Sequence, residues 1–318
     1  MRNQQRVSMM AKMMTALGAI GAGLAVVMRV WLAPAQRDID TGLFTSNTTV
    51  IWLLLAAVAG LAALAFLMRG CPRQEITQRS VLLLSVALLA VGAVMTLFGG
   101  VEMLARLGIV EFYTVRKTAD PVTTLSTAMQ WLQTVFCLLG GVALVRYGLV
   151  LASEGATRRG SALWSLLAPV LWLWFTLANY EMSYASMVRL SDGFFTLMMY
   201  IFEMVFLFAF ARYMSGVGKM SVGMLLFCSG GATLFALSAP LVRIFMYLLQ
   251  DVEAFAANGA AGPLDLAVGV LALVTAVSLC RSLDQAPPSD EEDAPAWSVS
   301  EDADVDLIDM SDEGTDAE

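Results

Sequence analysis

The chain has 318 residues, of which 58% are hydrophobic and only 14% are charged. Soluble domains carry about a quarter charged residues, so this composition excludes an ordinary water-soluble protein and favours a membrane protein. The formal net charge of −8 conceals two different parts, because residues 284–318 hold fourteen of the 27 acidic residues and no Lys or Arg. The remaining body, with 19 basic and 13 acidic residues, has a net charge of +6.

Eight apolar stretches follow one another along the chain, each about as long as one helix needs to cross the bilayer. They cover residues 11–33, 49–68, 80–104, 126–150, 161–180, 194–213, 221–249 and 264–282. The pattern predicts an all-α fold, a polytopic transmembrane bundle of about eight helices over residues 1–283, with the lipid bilayer as its surroundings. An alternative for the first stretch is a signal peptide cleaved near Ala33, Pro34 and Ala35.

Basic residues predict the orientation of the bundle, because Lys and Arg collect on the cytoplasmic side of a membrane. With the N-terminus inside, twelve of the nineteen basic residues fall in cytoplasmic segments or cytoplasmic helix ends. We therefore expect a multi-pass protein with both termini in the cytoplasm.

Small residues and prolines within the stretches predict how the helices pack. Paired glycines occur at 99–100, 140–141 and 230–231, in three different stretches. Glycine lets helix backbones approach closely where lipid supplies no hydrophobic drive, so we interpret these pairs as packing contacts. Pro169 and Pro240 predict kinks in the fifth and seventh helices.

The chain contains no His, and its four cysteines stand singly at 71, 137, 228 and 280. These facts remove Ser-His-Asp triads, His-ligated metals and C-x-x-C redox motifs from consideration. The sequence predicts no catalytic residue, no cofactor, no metal and no nucleic-acid partner. A lipid enzyme remains only as a third functional class, because such an enzyme would have to work without His.

Ionisable residues inside apolar stretches are costly in hydrocarbon and therefore mark candidate functional positions. Glu203 lies near the middle of the sixth stretch, and we predict an ion pair between Glu203 and Arg243 of the seventh. One interpretation is that the pair only fixes the helix register. The other is an outward-facing polar pocket, with this pair at its floor. The residues predicted nearer its mouth are Asn179, Tyr180, Glu102, Arg29 and Asp265.

The last 35 residues, 284–318, have the composition of a disordered acidic cytoplasmic tail. Apolar residues interrupt the acid in the words W-S-V-S-E-D and D-V-D-L-I-D-M. A cytoplasmic protein partner that docks on these words is one interpretation. The other is that the tail only solvates the end of the last helix and is repelled from anionic lipid.

Three stretches of the sequence, V-M-R-V-W-L at 27–32, D-I-D-T-G-L-F at 38–44 and the run D-G-F-F-T-L-M-M-Y-I-F-E-M-V-F-L-F-A-F-A-R-Y at 192–213, carry a resemblance. In these words and in the layout of its body, the chain resembles uncharacterised multi-pass membrane proteins of clostridial Firmicutes, a family with no assigned activity. The resemblance implies a location in the bacterial inner membrane and implies no chemistry.

Two functional classes follow from the sequence. The first is a solute-handling or ligand-sensing membrane protein with a polar site around Glu203 at the membrane midplane. The second is a non-catalytic scaffold or accessory subunit that recruits partners through its acidic tail.

Overall fold

The computed structural model describes residues 2–36, 48–71, 76–109, 124–154, 160–184, 190–216, 220–249 and 262–285. Within these ranges the chain forms eight helices and no strand. The helices are α1 (Arg2–Gln36), α2 (Thr48–Leu67), α3 (Gln78–Arg106), α4 (Thr124–Glu154), α5 (Gly160–Tyr184), α6 (Leu190–Ser215), α7 (Val222–Leu249) and α8 (Pro263–Gln285). Each coincides with one of the eight predicted stretches, so the all-α fold class is confirmed.

Seven of these helices, all except α5, are long and apolar enough to cross a membrane. The chain is therefore an integral, multi-pass membrane protein. In α5 the side chains are described only over residues 166–181. That α5 also crosses the membrane therefore stays a prediction. Large apolar side chains such as Val27, Leu82 and Leu149 are exposed along the helices, as expected of surfaces that face lipid.

Consecutive helices run in opposite directions, so the bundle has two distinct ends. We name the end where α1 begins and α8 ends the proximal end, and the end where α1 ends and α2 begins the distal end. Contacts confirm the alternation: Ser8 of α1 meets Asp284 of α8 at the proximal end, and Arg106 of α3 meets Gln130 of α4 at the distal end.

Five of the helices form a ring. The order around the ring is α3, α4, α5, α6 and α8, and each helix contacts the next. The contact between α6 and α8 is small. Helix α8 packs against α3 and so closes the ring. Helix α7 packs against both α6 and α8 and covers the junction where they touch. Helices α1 and α2 pack against α7, and α1 also packs against α8, so these two lie beyond α7. The result is a five-helix ring backed by a three-helix layer.

Glycines set close approaches between helices, as predicted for five of the six paired positions, whereas an added Cβ at Gly100 would meet no heavy atom within 4 Å. A Cβ built on Gly141 of α4 would lie 2.5 Å from the backbone nitrogen of Thr96 on α3, and one built on Gly92 would lie 2.8 Å from the carbonyl oxygen of Gly141. Gly18 of α1 meets the backbone of Gly230 on α7 in the same way, at 3.0 Å. Gly140 packs against Pro169 of α5, which is inside that helix. These contacts leave no room for a side chain.

Polar contacts join the first and last helices at the proximal end. Asp284 accepts a hydrogen bond from Ser8 and pairs with Lys12 at 2.9 Å. One turn deeper, Thr15 lies 3.2 Å from the sulfur of Cys280. Ser282 accepts a hydrogen bond from the backbone N–H of Thr77, just before α3. We call the contacts of Ser8, Lys12 and Thr15 with α8 the proximal clasp.

The acidic segment begins slightly later than the composition predicts. Helix α8 continues to Gln285, so Asp284 belongs to the bundle and takes part in the proximal clasp. The chain divides into two units, Met1–Ala286 and Pro287–Glu318. Residues 286–318, including both predicted docking words, lie outside the described residues.

Replacing Gly141 with Ala should destabilise the protein by about 1–3 kcal/mol, because the new methyl group overpacks the seam between α3 and α4. Gly100→Ala is the matched control, since a Cβ at Gly100 meets no heavy atom within 4 Å. Removing glycine from a helix there should be neutral or stabilising by about 0.5–1 kcal/mol. Unfolding of the purified variants in a denaturing detergent series measures both. Equal effects of the two substitutions would contradict the packing described here.

A single substitution, Thr15→Cys, should place a thiol beside the native Cys280 and allow a disulfide between α1 and α8. The present distance of 3.2 Å between the two side chains is short enough for a small adjustment to bring two sulfurs into bonding range. Counting free thiols before and after mild oxidation measures the bond. The same substitution combined with Cys280→Ala is the control and should lose no thiol.

Candidate functional site

Buried polar residues are sorted by type along the bundle. Among the described residues, the buried side chains that carry an amide or a charge are Arg29, Gln133, Asn179, Glu203 and Asp265. Four lie in the distal half of their helices, and Glu203 lies at the midpoint of α6. The proximal half buries serines instead, and several of these, such as Ser215 and Ser282, donate hydrogen bonds to carbonyls of their own helix. A candidate polar site therefore belongs to the distal half.

Glu203 is the most deeply placed charge-bearing residue of this group. Its side chain is 0% exposed, and neither carboxyl oxygen has a hydrogen-bond partner in the part of the chain that the structure describes. Tyr200 and Phe206, one turn to either side on the same face of α6, are fully buried as well. An ionised carboxylate near the centre of a span costs about 3 kcal/mol or more to bury without a partner.

The charge of a second acidic residue, on the neighbouring helix α8, reaches Glu203. Asp265, in the first turn of α8, is buried and lies close enough for its charge to reach Glu203 on α6. The charge of Asp265 also reaches Cys137 on α4, as does that of Glu102 on α3. Part of the role of Asp265 is structural, because its Oδ2 accepts a hydrogen bond from the backbone N–H of Gly262 at 2.6 Å and caps α8. Acidic groups of α3, α6 and α8 thus converge on the distal half of the ring.

Amide side chains join α4 to α5 at this level. The Nδ2 of Asn179 donates to the Oε1 of Gln133 at 3.0 Å, and both side chains are buried. The Oδ1 of Asn179 has no hydrogen-bond partner among the described residues. This pair leaves a carbonyl oxygen without a donor in the polar half of the ring.

Tyr180, the next residue on α5, is buried, and its ring meets that of Tyr200 on α6 edge to face, with 5.8 Å between the centroids. Tyr180 therefore contacts the residue one turn from Glu203.

Glu102 and Arg106 form a separate network at the distal end of α3. Arg106 donates to Glu102 at 2.7 Å, to Gln130 at 3.1 Å and to Thr134 at 2.8 Å. The pair is half-buried, and it links α3 to α4. Glu102 is thus an ion-paired residue at the distal end of α3.

Arg29 reaches the ring from α1. Its side chain is buried, and its guanidinium carbon lies 4.4 Å from the centroid of the Phe195 ring on α6. Phe195 precedes Glu203 by eight residues, which is about 12 Å along a helix axis. Arg29 therefore lies closer to the distal end of the bundle than Glu203 does.

The predicted ion pair between Glu203 and Arg243 is wrong. Arg243 is half-buried on α7, which lies behind the junction of α6 and α8, and the Glu203 oxygens are without partners in the described structure. The two residues also lie at different levels of the bundle, because Phe202 stacks on Phe235, which precedes Arg243 by eight residues, about 12 Å along a helix axis. Phe202, not Glu203, faces α7, where it contacts Gly231 and stacks on Phe235.

Sequence reasoning missed the polar residues that α4 contributes. Gln130, Gln133 and Thr134 stand three and four residues apart, so they share one side of the helix. That spacing, within an otherwise apolar span, is a signal that could have identified them, because it predicts a polar stripe turned toward neighbouring helices.

The four cysteines are free, and three of them, Cys137, Cys228 and Cys280, are buried. Burial also raises the pKa of the Cys71 thiol, which lies just after α2 and outside the spans. Among the described residues, no group of three acidic or Cys side chains is arranged to hold a metal ion. No protein-family model matches the chain, and neither the curated proteins nor the solved structures provide a match.

The Gln133 and Asn179 amides should be energetically coupled. Replacing either by Leu strands its partner in a buried position, whereas the double substitution removes both polar groups at once. We expect a coupling free energy of about 0.6 kcal/mol, with about 1.7 kcal/mol as the upper bound for such pairs in membranes. A double-mutant cycle of unfolding free energies measures it. Strict additivity would show that the pair contributes nothing.

Proposed function

We propose that this multi-pass membrane protein handles or senses a small polar solute, which binds inside the five-helix ring at the level of Glu203. The Glu203 carboxyl carries the proposal, because it is completely buried and both of its oxygens are unpartnered in the described structure. A carboxyl retained only to fix the helix register is expected to have a fixed partner, since unpaired polar groups are costly in the membrane.

The surroundings of Glu203 support a binding role. Amide and tyrosine side chains gather in the distal half of the ring, and the buried acidic Asp265 of α8 lies within range for its charge to act on Glu203. A few convergent polar groups within apolar walls are the usual composition of a small-molecule site.

The helices on both sides of α6 are also suited to movement. Helix α5 contains Pro169 and α7 contains Pro240. Proline removes one backbone hydrogen bond and bends a helix, and broken helices around a midplane site are common in carriers. Because Glu203 is sealed in this structure, a solute would reach it through displacement of these helices.

We further propose that the protein lies in the bacterial cell membrane with the proximal end in the cytoplasm. Exposed basic residues cluster at that end, as the positive-inside rule requires. They are Arg6, Lys12, Arg69, Arg79, Arg146 and Arg281. The resemblance in layout to multi-pass proteins of clostridial bacteria supports the same location.

The alternative function is a scaffold that recruits a cytoplasmic protein through the acidic tail. It would need no water path to Glu203, so the same experiment separates the two functions.

A single cysteine at position 203, in a background with the four native cysteines replaced, should react with a charged, membrane-impermeant thiol reagent applied at the distal face. Leu125→Cys, exposed at the distal start of α4, is the positive control. Ala236→Cys is the matched buried control, because Ala236 is 0% exposed in the middle of α7 and packs against Gly269.

Labelling is measured separately on whole cells and on inverted membrane vesicles. Reaction at position 203 with none at position 236 supports the water-accessible site, and the side that reacts reports the orientation. If position 125 reacts and position 203 remains unmodified from both faces, the site is a closed structural element and the scaffold function is favoured.

A further inference from the structure

The polar site contains an excess of hydrogen-bond acceptors. In the described structure, both oxygens of Glu203 and the Oδ1 of Asn179 are buried and lack a donor. All three atoms belong to adjacent helices, α5 and α6, whose contact includes the Tyr180 and Tyr200 rings. Buried acceptors without donors are rare in folded proteins, because each has lost its bonds to water. The deficit is therefore in donors, and a ligand that fits must supply them.

The charged groups near Glu203 also favour a ligand that carries a positive charge. Asp265 is the described charged side chain whose field reaches Glu203, and it is acidic. The described basic groups of the distal half are placed elsewhere. Arg106 is bound to Glu102, Gln130 and Thr134, Arg29 lies over Phe195, and Arg243 is half-buried on α7. An anionic ligand at Glu203 would meet the like charge of this carboxylate, whereas a cation would be attracted by it.

The aromatic side chains around Glu203 favour an organic ammonium ion over an inorganic cation. Tyr200 and Phe206 flank Glu203 on α6, and Tyr180 meets Tyr200 from α5. The faces of aromatic rings attract ammonium groups and also pack against the apolar part of a ligand. The guanidinium of Arg29 over Phe195, another aromatic residue of α6, is an example of this attraction. An inorganic cation requires a shell of oxygen ligands instead, typically six or more for Ca²⁺. An ammonium group carries three N–H donors and no acceptor.

We infer that the ligand bound at Glu203 is a small organic cation that carries a protonated amine. The ammonium group donates hydrogen bonds to the Glu203 carboxylate, and its apolar part lies against the tyrosine and phenylalanine rings. This inference rests on the proposed function, because it specifies the chemical class of the solute for the same site.

The test measures the thermal midpoint of the purified full-length protein in detergent with added n-butylammonium chloride or methylammonium chloride. Three kinds of control are added at equal concentration. n-Butanol has the same carbon chain without the charge. Sodium chloride and potassium chloride supply inorganic cations, and sodium butyrate supplies an organic anion. A ligand that binds only the folded state raises the midpoint. We expect a rise of about 2 °C or more with an amine, and no comparable rise with any of the controls.

Glu203→Gln should abolish the rise, because the amide removes the charge and replaces one acceptor with a donor. Glu181→Gln is the matched control: it removes the same charge from an exposed position on α5, and the response should remain. Glu203→Asp keeps the charge but withdraws it by one methylene, so it should give a smaller rise. This third variant keeps the test decisive if the glutamine variant fails to fold.

The absence of any rise in the wild-type protein with either amine would overturn the inference. So would a Glu203-dependent rise produced by sodium or potassium alone, since the ligand would then be an inorganic cation. Failure of the amine test with successful labelling of a cysteine at position 203 leaves the solute-binding function standing and rejects only the ligand class. Failure of the labelling rejects both.

Discussion

Close contact between the backbones of α3 and α4 is the constraint on which the ring depends. Lipid gives helices no hydrophobic reason to associate, so the drive must come from van der Waals packing and hydrogen bonds between helices. Gly92 and Gly141 bring the two backbones within reach of each other, and Arg106 then closes the distal end of the same seam through Gln130 and Thr134. With α3 and α4 fixed, α5 docks through Pro169 on Gly140, and α8 closes the ring against α3.

The division of buried polar groups gives the two halves of the bundle different physical character. Several hydroxyl groups in the proximal half donate to a carbonyl of their own helix, as Ser282 does to the carbonyl of Ser278, so these hydroxyls need no donor or acceptor from a neighbouring helix. Amides and carboxylates have more polar atoms to satisfy, and some of them find partners on other helices. Where partners are found, as between Gln133 and Asn179, they join helices. Where none is found, as at Glu203, the fold carries an energetic cost that a ligand can relieve.

Most of the fold could be predicted from the sequence, because span length and apolar composition depend on the chain alone. The glycine contacts were also predictable in kind, since small residues have few other uses within a span. The site was only partly predictable. The importance of Glu203 followed from the cost of burying a charge. Its lack of a partner did not follow, because the sequence does not show that Phe202, rather than Glu203, meets α7 or that Arg243 lies two turns beyond this contact. Neighbour relations between helices, such as the contact of α8 with α3, are not encoded in local patterns.

The proximal clasp has a consequence for biosynthesis. Ser8 and Asp284 are 276 residues apart in the chain, so this contact can form only after the last span has left the ribosome and entered the bilayer. Until then α1 lacks its neighbour α8, and α3 lacks the helix that closes the ring. Contacts among α3, α4, α5 and α6 can form earlier, but closure of the ring must wait for α8. A chain truncated before α8 would therefore keep the order of these four helices and leave the ring open on the side of α3.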